Sequence, residues 1–351
     1  MMLSSLAEVQ LTESETASPP PQRNTRLQDC LRSLDFTSLA PAVDFSDFQK
    51  AIPALAKDEA AIRRIESLLC QLPTEHRLLL GDARNLSDIE DESVHLVVTS
   101  PPYWNLKAYR EANGQLGNMT DYDAFLEELD KVWKECWRVL VKGGRLVVVV
   151  GDVCMSRRKN GRHVVVPLHA SIQEHCRTIG FDNLAPIIWY KIANAVYEVP
   201  GNGGFLGKPY EPNAVIKNDI EFILMQRKPG AYRNPTPTVR VLSVISQENQ
   251  RKWFQQVWTD MPGESTRNHP APFPLELATR LVRMFSFVGD TVLDPFVGTG
   301  TTTVAAAAAG RNSIGIEIDP VYLKFAIKRA LEGGVKLNQQ VLGVEHQPPL
   351  L

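Results

Sequence analysis

No stretch of the 351-residue chain approaches the ~20 consecutive apolar residues that a membrane-crossing helix needs. The first residues carry Glu8, Glu13 and Glu15 and lack the basic-then-apolar pattern of an export signal, so a cytoplasmic protein with no membrane partner is expected. Cysteine is scarce and scattered. Cys30, Cys70, Cys136, Cys154 and Cys176 include no C-x-x-C pair, which leaves a zinc or redox site without support. They read as reduced thiols packing as small apolar groups, and no metal is expected. Neither sign of charge dominates: the net charge of -2 argues against a uniformly basic nucleic-acid binder. The chain also lacks an internal repeat.

What is present has an uneven layout. From Lys142 to Trp253 there are 16 Lys and Arg against 8 Asp and Glu, while the rest of the chain holds 22 against 32. A basic middle on an acidic frame suits one phosphate-facing surface, although a merely solvated basic face would read the same way. Residues 1–25, rich in Ser, Thr, Glu and Pro, read as a disordered tail. Residues 26–75 read as a helical extension, with helical patterns over 26–34 and 45–72. In the second, Ile62, Ile65, Leu68, Leu69 and Leu72 recur at three- and four-residue spacing.

From His76 the pattern changes to short apolar runs at 78–80, 95–99, 146–150, 186–190, 221–225, 292–293 and 313–316. These seven candidate strands are mostly continuous and β-branched, as in a sheet covered on both faces. Helical stretches over 122–140, 166–179, 274–285, 301–309 and 321–331 lie between several of them. The alternation predicts an α/β fold with a doubly wound, mostly parallel sheet over residues 76–335. Three segments break the rhythm: a basic loop at 157–163, a Gly-, Pro- and Asn-rich stretch at 193–218, and a polar stretch at 230–261 carrying Trp253, Phe254 and Trp258. Residues 336–351 read as a loose tail.

Three motifs carry chemistry. Residues 291–303 read TVLDPFVGTGTTT: a strand into Asp294, a turn with Gly298 and Gly300, then a helix whose free N–H groups face a ligand. The third glycine of a dinucleotide site is replaced by Thr303, and no Gly-Lys-Ser/Thr follows, so NAD and ATP are disfavoured. A tight strand-to-helix turn with no ligand remains the plain alternative. One strand later, Glu317 falls roughly 20 residues beyond the glycines, where an acid takes both hydroxyls of a ribose. Together these suit a ligand with a ribose and no pyrophosphate. The third motif is Ser100-Pro101-Pro102-Tyr103, directly after the strand at 95–99. Paired prolines fix the backbone at a strand's C-terminal end, the edge where ligands bind in open α/β sheets.

Asp294-Pro295-Phe296-x-Gly298-x-Gly300, taken with Ser100-Pro101-Pro102-Tyr103, resembles the amino-methyltransferases of bacterial restriction–modification systems. Their catalytic tetrapeptide is Asp, Asn or Ser, then two prolines, then Tyr, Phe or Trp. Gly81-Asp82 is similar to the family's adenine-contacting acidic site, and His269-Pro270-x-x-Phe273-Pro274 to the segment that closes over the cofactor. The catalytic motif precedes the cofactor motif, as in the family's circularly permuted β group. The resemblance spans roughly residues 76–331. It implies a Rossmann-like, seven-stranded fold in which 292–293 and 313–316 are the first two strands and 221–225 an antiparallel edge strand. It implies S-adenosylmethionine as cofactor, held by Asp82, His269, Phe273, Asp294, Pro295, Phe296, Gly298, Gly300, Thr301 and Glu317.

By the same resemblance, Ser100, Pro101, Pro102 and Tyr103 are the catalytic residues, and Ser in first place is typical of cytosine-N4 enzymes, Asp of adenine-N6 enzymes. The expected substrate is double-stranded DNA, its target base flipped out and stacked on Tyr103, its amine attacking directly. Enzymes that methylate carbon 5 through a cysteine share a Pro-Cys dipeptide, and none occurs here. Arg157, Arg158, Lys159 and Arg162 are candidate phosphate contacts, and 193–262 includes candidate target-recognition insertions. The genetic partner implied is a cognate restriction endonuclease. The family contains dimers and monomers, and no motif decides for or against a homodimer. Adenine-N6 methylation and a catalytically silent cofactor- or DNA-binding module are the alternative readings.

Overall fold

The computed structural model of the chain describes residues 25–106, 109–155, 160–191, 218–264 and 273–341. Arg157, Arg158, Lys159 and His269 lie outside the described residues, as do nearly all of the 1–25 tail and of the 193–218 stretch. In chain order the strands are β1 (His76–Leu80), β2 (Val94–Thr99), β3 (Leu140–Val150), β4 (Val153–Met155), β5 (Val164–Val166), β6 (Asp182–Tyr190), β7 (Ile220–Arg227), β8 (Val257–Trp258), β9 (Thr291–Asp294), β10 (Asn312–Glu317) and β11 (Leu337–Val341). The helices are α1 (Thr25–Ser33), α2 (Phe48–Leu55), α3 (Glu59–Leu69), α4 (Tyr122–Val139), α5 (Leu168–Ile179), α6 (Pro237–Leu242), α7 (Gln247–Trp253), α8 (Leu275–Phe285), α9 (Thr301–Ala308) and α10 (Pro320–Glu332). Among the described residues no helix is long and apolar enough to cross a membrane.

Nine strands form one sheet in the order β11-β1-β10-β9-β2-β3-β7-β6-β8. All seven apolar runs are in it. The cause is visible in β3, where Leu146, Val147, Val148, Val149 and Val150 are all fully buried. Alternate side chains enter different cores. Leu146, Val148 and Val150 pack with Phe125, Leu129, Trp133 and Ile172 of α4 and α5 on one face. Val147 and Val149 pack with Leu277, Leu281, Ala305 and Ala306 of α8 and α9 on the other. Two-sided burial removes any polar alternation, because each residue gains about 1.5–3 kcal/mol by leaving water.

The sheet has nine strands where seven were expected, β8 and β11 being the additions, and β7 lies in a different place. β7 is antiparallel but is not an edge: it pairs with β3 on one side and β6 on the other. Its Ile223 and Leu224 are fully buried on opposite faces of the sheet. Residues 337–341, expected within a loose tail, form β11 and pair in parallel with β1. Their sequence LNQQV has no apolar run to announce a strand.

The 45–72 helical pattern is two helices, because Asp58 caps α3 by accepting from the Ala61 N–H at 2.9 Å. The polar 230–261 stretch folds into α6, α7 and β8 instead of a long loop. Thr236 caps α6, Ser246 caps α7, and Pro237 stands at a first-turn position of α6. Trp253 and Trp258 are buried under Arg283 and Arg280, which stack on their rings, while Phe254 is exposed. α1, α2, α3 and α6 close a separate core around Leu27, Leu55, Ile65, Leu242 and Val288. That layer lies beside the residues leading into β9, so it caps the sheet's N-terminal edge.

Candidate active site

The opposite edge is where the three motifs converge. Parallel pairing of β2 with β9, β9 with β10 and β10 with β1 sets four strand ends side by side. Thr99, Asp294, Glu317 and Leu80 close these strands, so the residues that follow them meet. One pocket is lined by Gly81, Asp82, Ser100, Pro102, Pro295, Phe296 and Glu317, together with Tyr109, Gln115 and Tyr322. Ser100 and Glu317 are far apart in sequence and share this pocket because the sheet order makes β2 and β10 near neighbours around β9.

Beneath it lies Asp294, almost wholly buried. Its Oδ1 accepts from the Thr99 hydroxyl at 2.7 Å and the Phe296 N–H at 3.1 Å, and its Oδ2 from the Thr302 hydroxyl at 2.6 Å. Burial pushes its pKa up to about 6, against the pull of these donors. Asp294 does not line the pocket. It ties the strand before Ser100 to the helix after the glycine turn, and Thr99 and Thr302 are its partners.

Gly298 (φ 51°) and Gly300 (φ 80°) take left-handed conformations in the turn. A Cβ on Gly300 would stand 3.1 Å from the Ala326 backbone, so α10 packs directly on the turn. Thr301 is buried, with Arg329 donating to its hydroxyl at 3.0 Å. Glu317 Oε2 accepts from the Gly298 N–H at 2.9 Å and Oε1 from the Asp319 N–H at 3.0 Å. Burial pushes its pKa up to about 7. A buried carboxylate at a pocket wall, with spare lone pairs, is suited to the two hydroxyls of a ribose.

Asp82 faces the same pocket, but Arg84 holds its carboxylate, with Arg84 Nε donating to Oδ1 at 2.9 Å, and Arg84 also pairs with Glu128. Phe273 is not at the pocket. It packs with Leu277, Trp258 and Met261 on the α8 side of the sheet. Tyr109 and Arg110, absent from the motif reading, close the wall: Arg110 Nε meets Asp319 Oδ2 at 3.3 Å, and the Tyr109 ring seats against Gly117, where a Cβ would clash at 2.2 Å. Burial, with Tyr322 and Glu317 nearby, raises the Tyr109 pKa.

Ser100 is half-buried, while Pro101, Pro102 and Tyr103 are buried. The next residue, Trp104, is buried with φ 46°, a left-handed backbone that costs a non-glycine residue of order 1–3 kcal/mol. The Ser100 hydroxyl donates to the Tyr103 hydroxyl at 3.3 Å, and Tyr103 donates to Glu221 Oε2 at 3.2 Å. Lys191 Nζ donates to Glu221 Oε1 at 2.7 Å. Neither Glu221 nor Lys191 was marked by a motif. From the end of β3, β4 and β5 form a two-stranded ribbon at this same edge, and Arg162 near its tip is exposed.

The sequence profile of the DNA methylase family matches residues 94–328. The chain belongs to that family. The Type II methyltransferase M.MjaI of Methanocaldococcus jannaschii is 38% identical over 304 residues, 78% of this chain and 95% of its own length. The DNA adenine methyltransferase YhdJ of Escherichia coli K12 is 30% identical, covering 72% of this chain and 81% of its own. TTHA0409 of Thermus thermophilus, a candidate DNA modification methylase solved with S-adenosyl-L-methionine, is 54% identical at a TM-score of 0.61, covering 74% of this chain and 94% of its own. This DNA methylase is thus an S-adenosylmethionine-dependent DNA methyltransferase of the N6/N4 amino-methylating kind. Glu317, Phe296 and the glycine turn fit that cofactor: a buried carboxylate and an aromatic wall line one pocket, and the turn is joined to that carboxylate through the Gly298 N–H.

Proposed function

We propose that this methyltransferase acts on the exocyclic N4 of cytosine in double-stranded DNA, after the base is flipped out of the helix. The observation that carries the reading is that Ser100 and Pro102 line the same pocket as Glu317 and Phe296. When bound, S-adenosylmethionine supplies a methyl group on a sulfonium. The protein's part is to present the amine to it. The Ser100 hydroxyl and the Pro101 carbonyl accept the two amine hydrogens and draw them out of the ring plane. That localises a lone pair otherwise delocalised into the ring. Most of the acceleration then comes from position and electrostatics. Asp294 supports this by fixing Thr99, next to Ser100, relative to the glycine turn.

Phosphate contacts fall to Arg157, Arg158, Lys159 and Arg162, and target choice to insertions within residues 193–262. The similarity to Type II methyltransferases supports a role in protecting DNA within a restriction–modification system. One test is chemical. DNA methylated by the enzyme and digested to nucleosides should contain N4-methylcytosine. Recovery of N6-methyladenine would favour the second reading, which the similarity to YhdJ supports. A further test is Ser100→Ala, which should lower turnover about a hundredfold or more and leave cofactor affinity within about twofold. Equal losses in both would remove Ser100 from the reaction.

A further inference from the structure

Methylating an amine leaves a proton to be disposed of, and the structure holds a path for it. Building on the assignment of Ser100 to the amine, we propose that Ser100, Tyr103 and Glu221 form a proton relay that carries this proton from the pocket to the Glu221–Lys191 ion pair.

The hydrogen bonds already point one way. Ser100 donates to the Tyr103 hydroxyl at 3.3 Å, and Tyr103 donates to Glu221 Oε2 at 3.2 Å. Tyr103 has a second acceptor, the Val149 carbonyl at 3.4 Å, but a carboxylate is the stronger partner. Both separations are long for O–H···O bonds, as is common before substrate tightens a site. Lys191 pairs with Glu221 at 2.7 Å, and the two side chains are largely buried, 13% and 12% exposed, so the relay ends on a shielded ion pair. Gly151 permits the approach: a Cβ there would lie 3.3 Å from Glu221 Cγ and 3.4 Å from Tyr103 Cε2. Burial and the Glu221 charge hold the Tyr103 pKa well above its ordinary value. Tyr103 therefore passes a proton on as it receives one and does not ionise.

The step balances. The amine lone pair forms the bond to the methyl carbon, and the carbon–sulfur bond breaks with its electron pair remaining on sulfur. The surplus proton on nitrogen passes to Ser100 Oγ. The Ser100 proton passes to Tyr103, and the Tyr103 proton to the Glu221 carboxylate. One positive charge is lost from sulfur and one negative charge from Glu221. Phe and Trp stand at the Tyr103 position in other versions of the tetrapeptide, so the relay belongs to this chain and not to its motif.

The test is the single-turnover methylation rate of the full chain against pH, with duplex DNA and S-adenosylmethionine. Equilibrium binding of each is measured separately. The wild-type rate should fall at acid pH as Glu221 protonates. Glu221→Gln and Tyr103→Phe should each lower the plateau about tenfold, less than general bases usually contribute because a protonated conjugated amine is itself a strong acid. Each should also abolish the acid limb while leaving both affinities within about twofold. The double variant should be no slower than either single one. Lys191→Met should move the acid limb to higher pH. An acid limb retained in Glu221→Gln, or losses that add in the double variant, would reduce the pair to a structural role and overturn the relay. Tyr103→Phe removes one oxygen only, so it decides the matter even where Glu221→Gln folds poorly. Ser100→Ala separates the two readings. Full activity there sinks the assignment of the amine site, whereas a crippled Ser100→Ala beside fully active Tyr103→Phe and Glu221→Gln sinks the relay alone.

Discussion

Glu317 shows how one buried side chain sets the conditions under which a pocket works. Burial pushes its pKa up to about 7, while the Gly298 and Asp319 N–H groups pull the other way without prevailing. The ribose diol donates best to the anionic form. Cofactor affinity should therefore rise as pH rises through 7, roughly tenfold between pH 6 and pH 8, following the fraction ionised. Titration calorimetry across that range checks it, with Glu317→Gln expected to bind more weakly and without the Glu317 contribution to the trend. A wild-type affinity falling with pH would show that the protonated acid is the binding form. At this scale Ser100 and Glu317 were legible because each follows an apolar run at a readable distance from a motif. Glu221, Lys191 and Tyr109 were not. Antiparallel pairing of β7 beside β3 brings Glu221 to Tyr103, and no spacing along the chain encodes that contact. Phe273 went the other way: a motif placed it at the cofactor, but its ring satisfies the apolar core of the α8 face.

The strand–turn–helix of β9 and α9 is the element on which the site depends. Gly300 sits at φ 80° with the Ala326 backbone 3.1 Å from where a Cβ would be. Gly300→Ala should cost about 1–3 kcal/mol of stability through the left-handed backbone alone. It should also weaken cofactor binding, because the turn must shift away from α10. A urea midpoint and an equilibrium titration measure the two effects, and an unchanged titration would mean that the turn does not approach the ligand. Apolar runs were easy to read, and all seven became strands. β8 and β11 were not. One is two residues long and the other reads LNQQV, so neither carries an apolar run that would announce a strand.

At the scale of the whole molecule the sheet has two edges with separate work. The C-terminal ends of its strands carry the pocket, the tetrapeptide and the two-stranded ribbon of β4 and β5. The N-terminal ends are capped by α1, α2, α3 and α6, whose apolar faces close on one another around Leu55, a side chain with no exposure at all. The sequence revealed the helices of residues 26–75 but not their location, because an amphipathic face says that it is buried and not against what. Their position argues that they supply stability and take no part in chemistry. Leu55→Ala should then cost about 2–5 kcal/mol by leaving a cavity, seen as a lower denaturation midpoint. At a temperature where the variant remains folded, its affinity for S-adenosylmethionine, its affinity for DNA and its single-turnover rate should match those of the wild type. A selective loss of DNA affinity would show instead that the helical layer reaches the substrate, and the division of labour between the two edges would have to be abandoned.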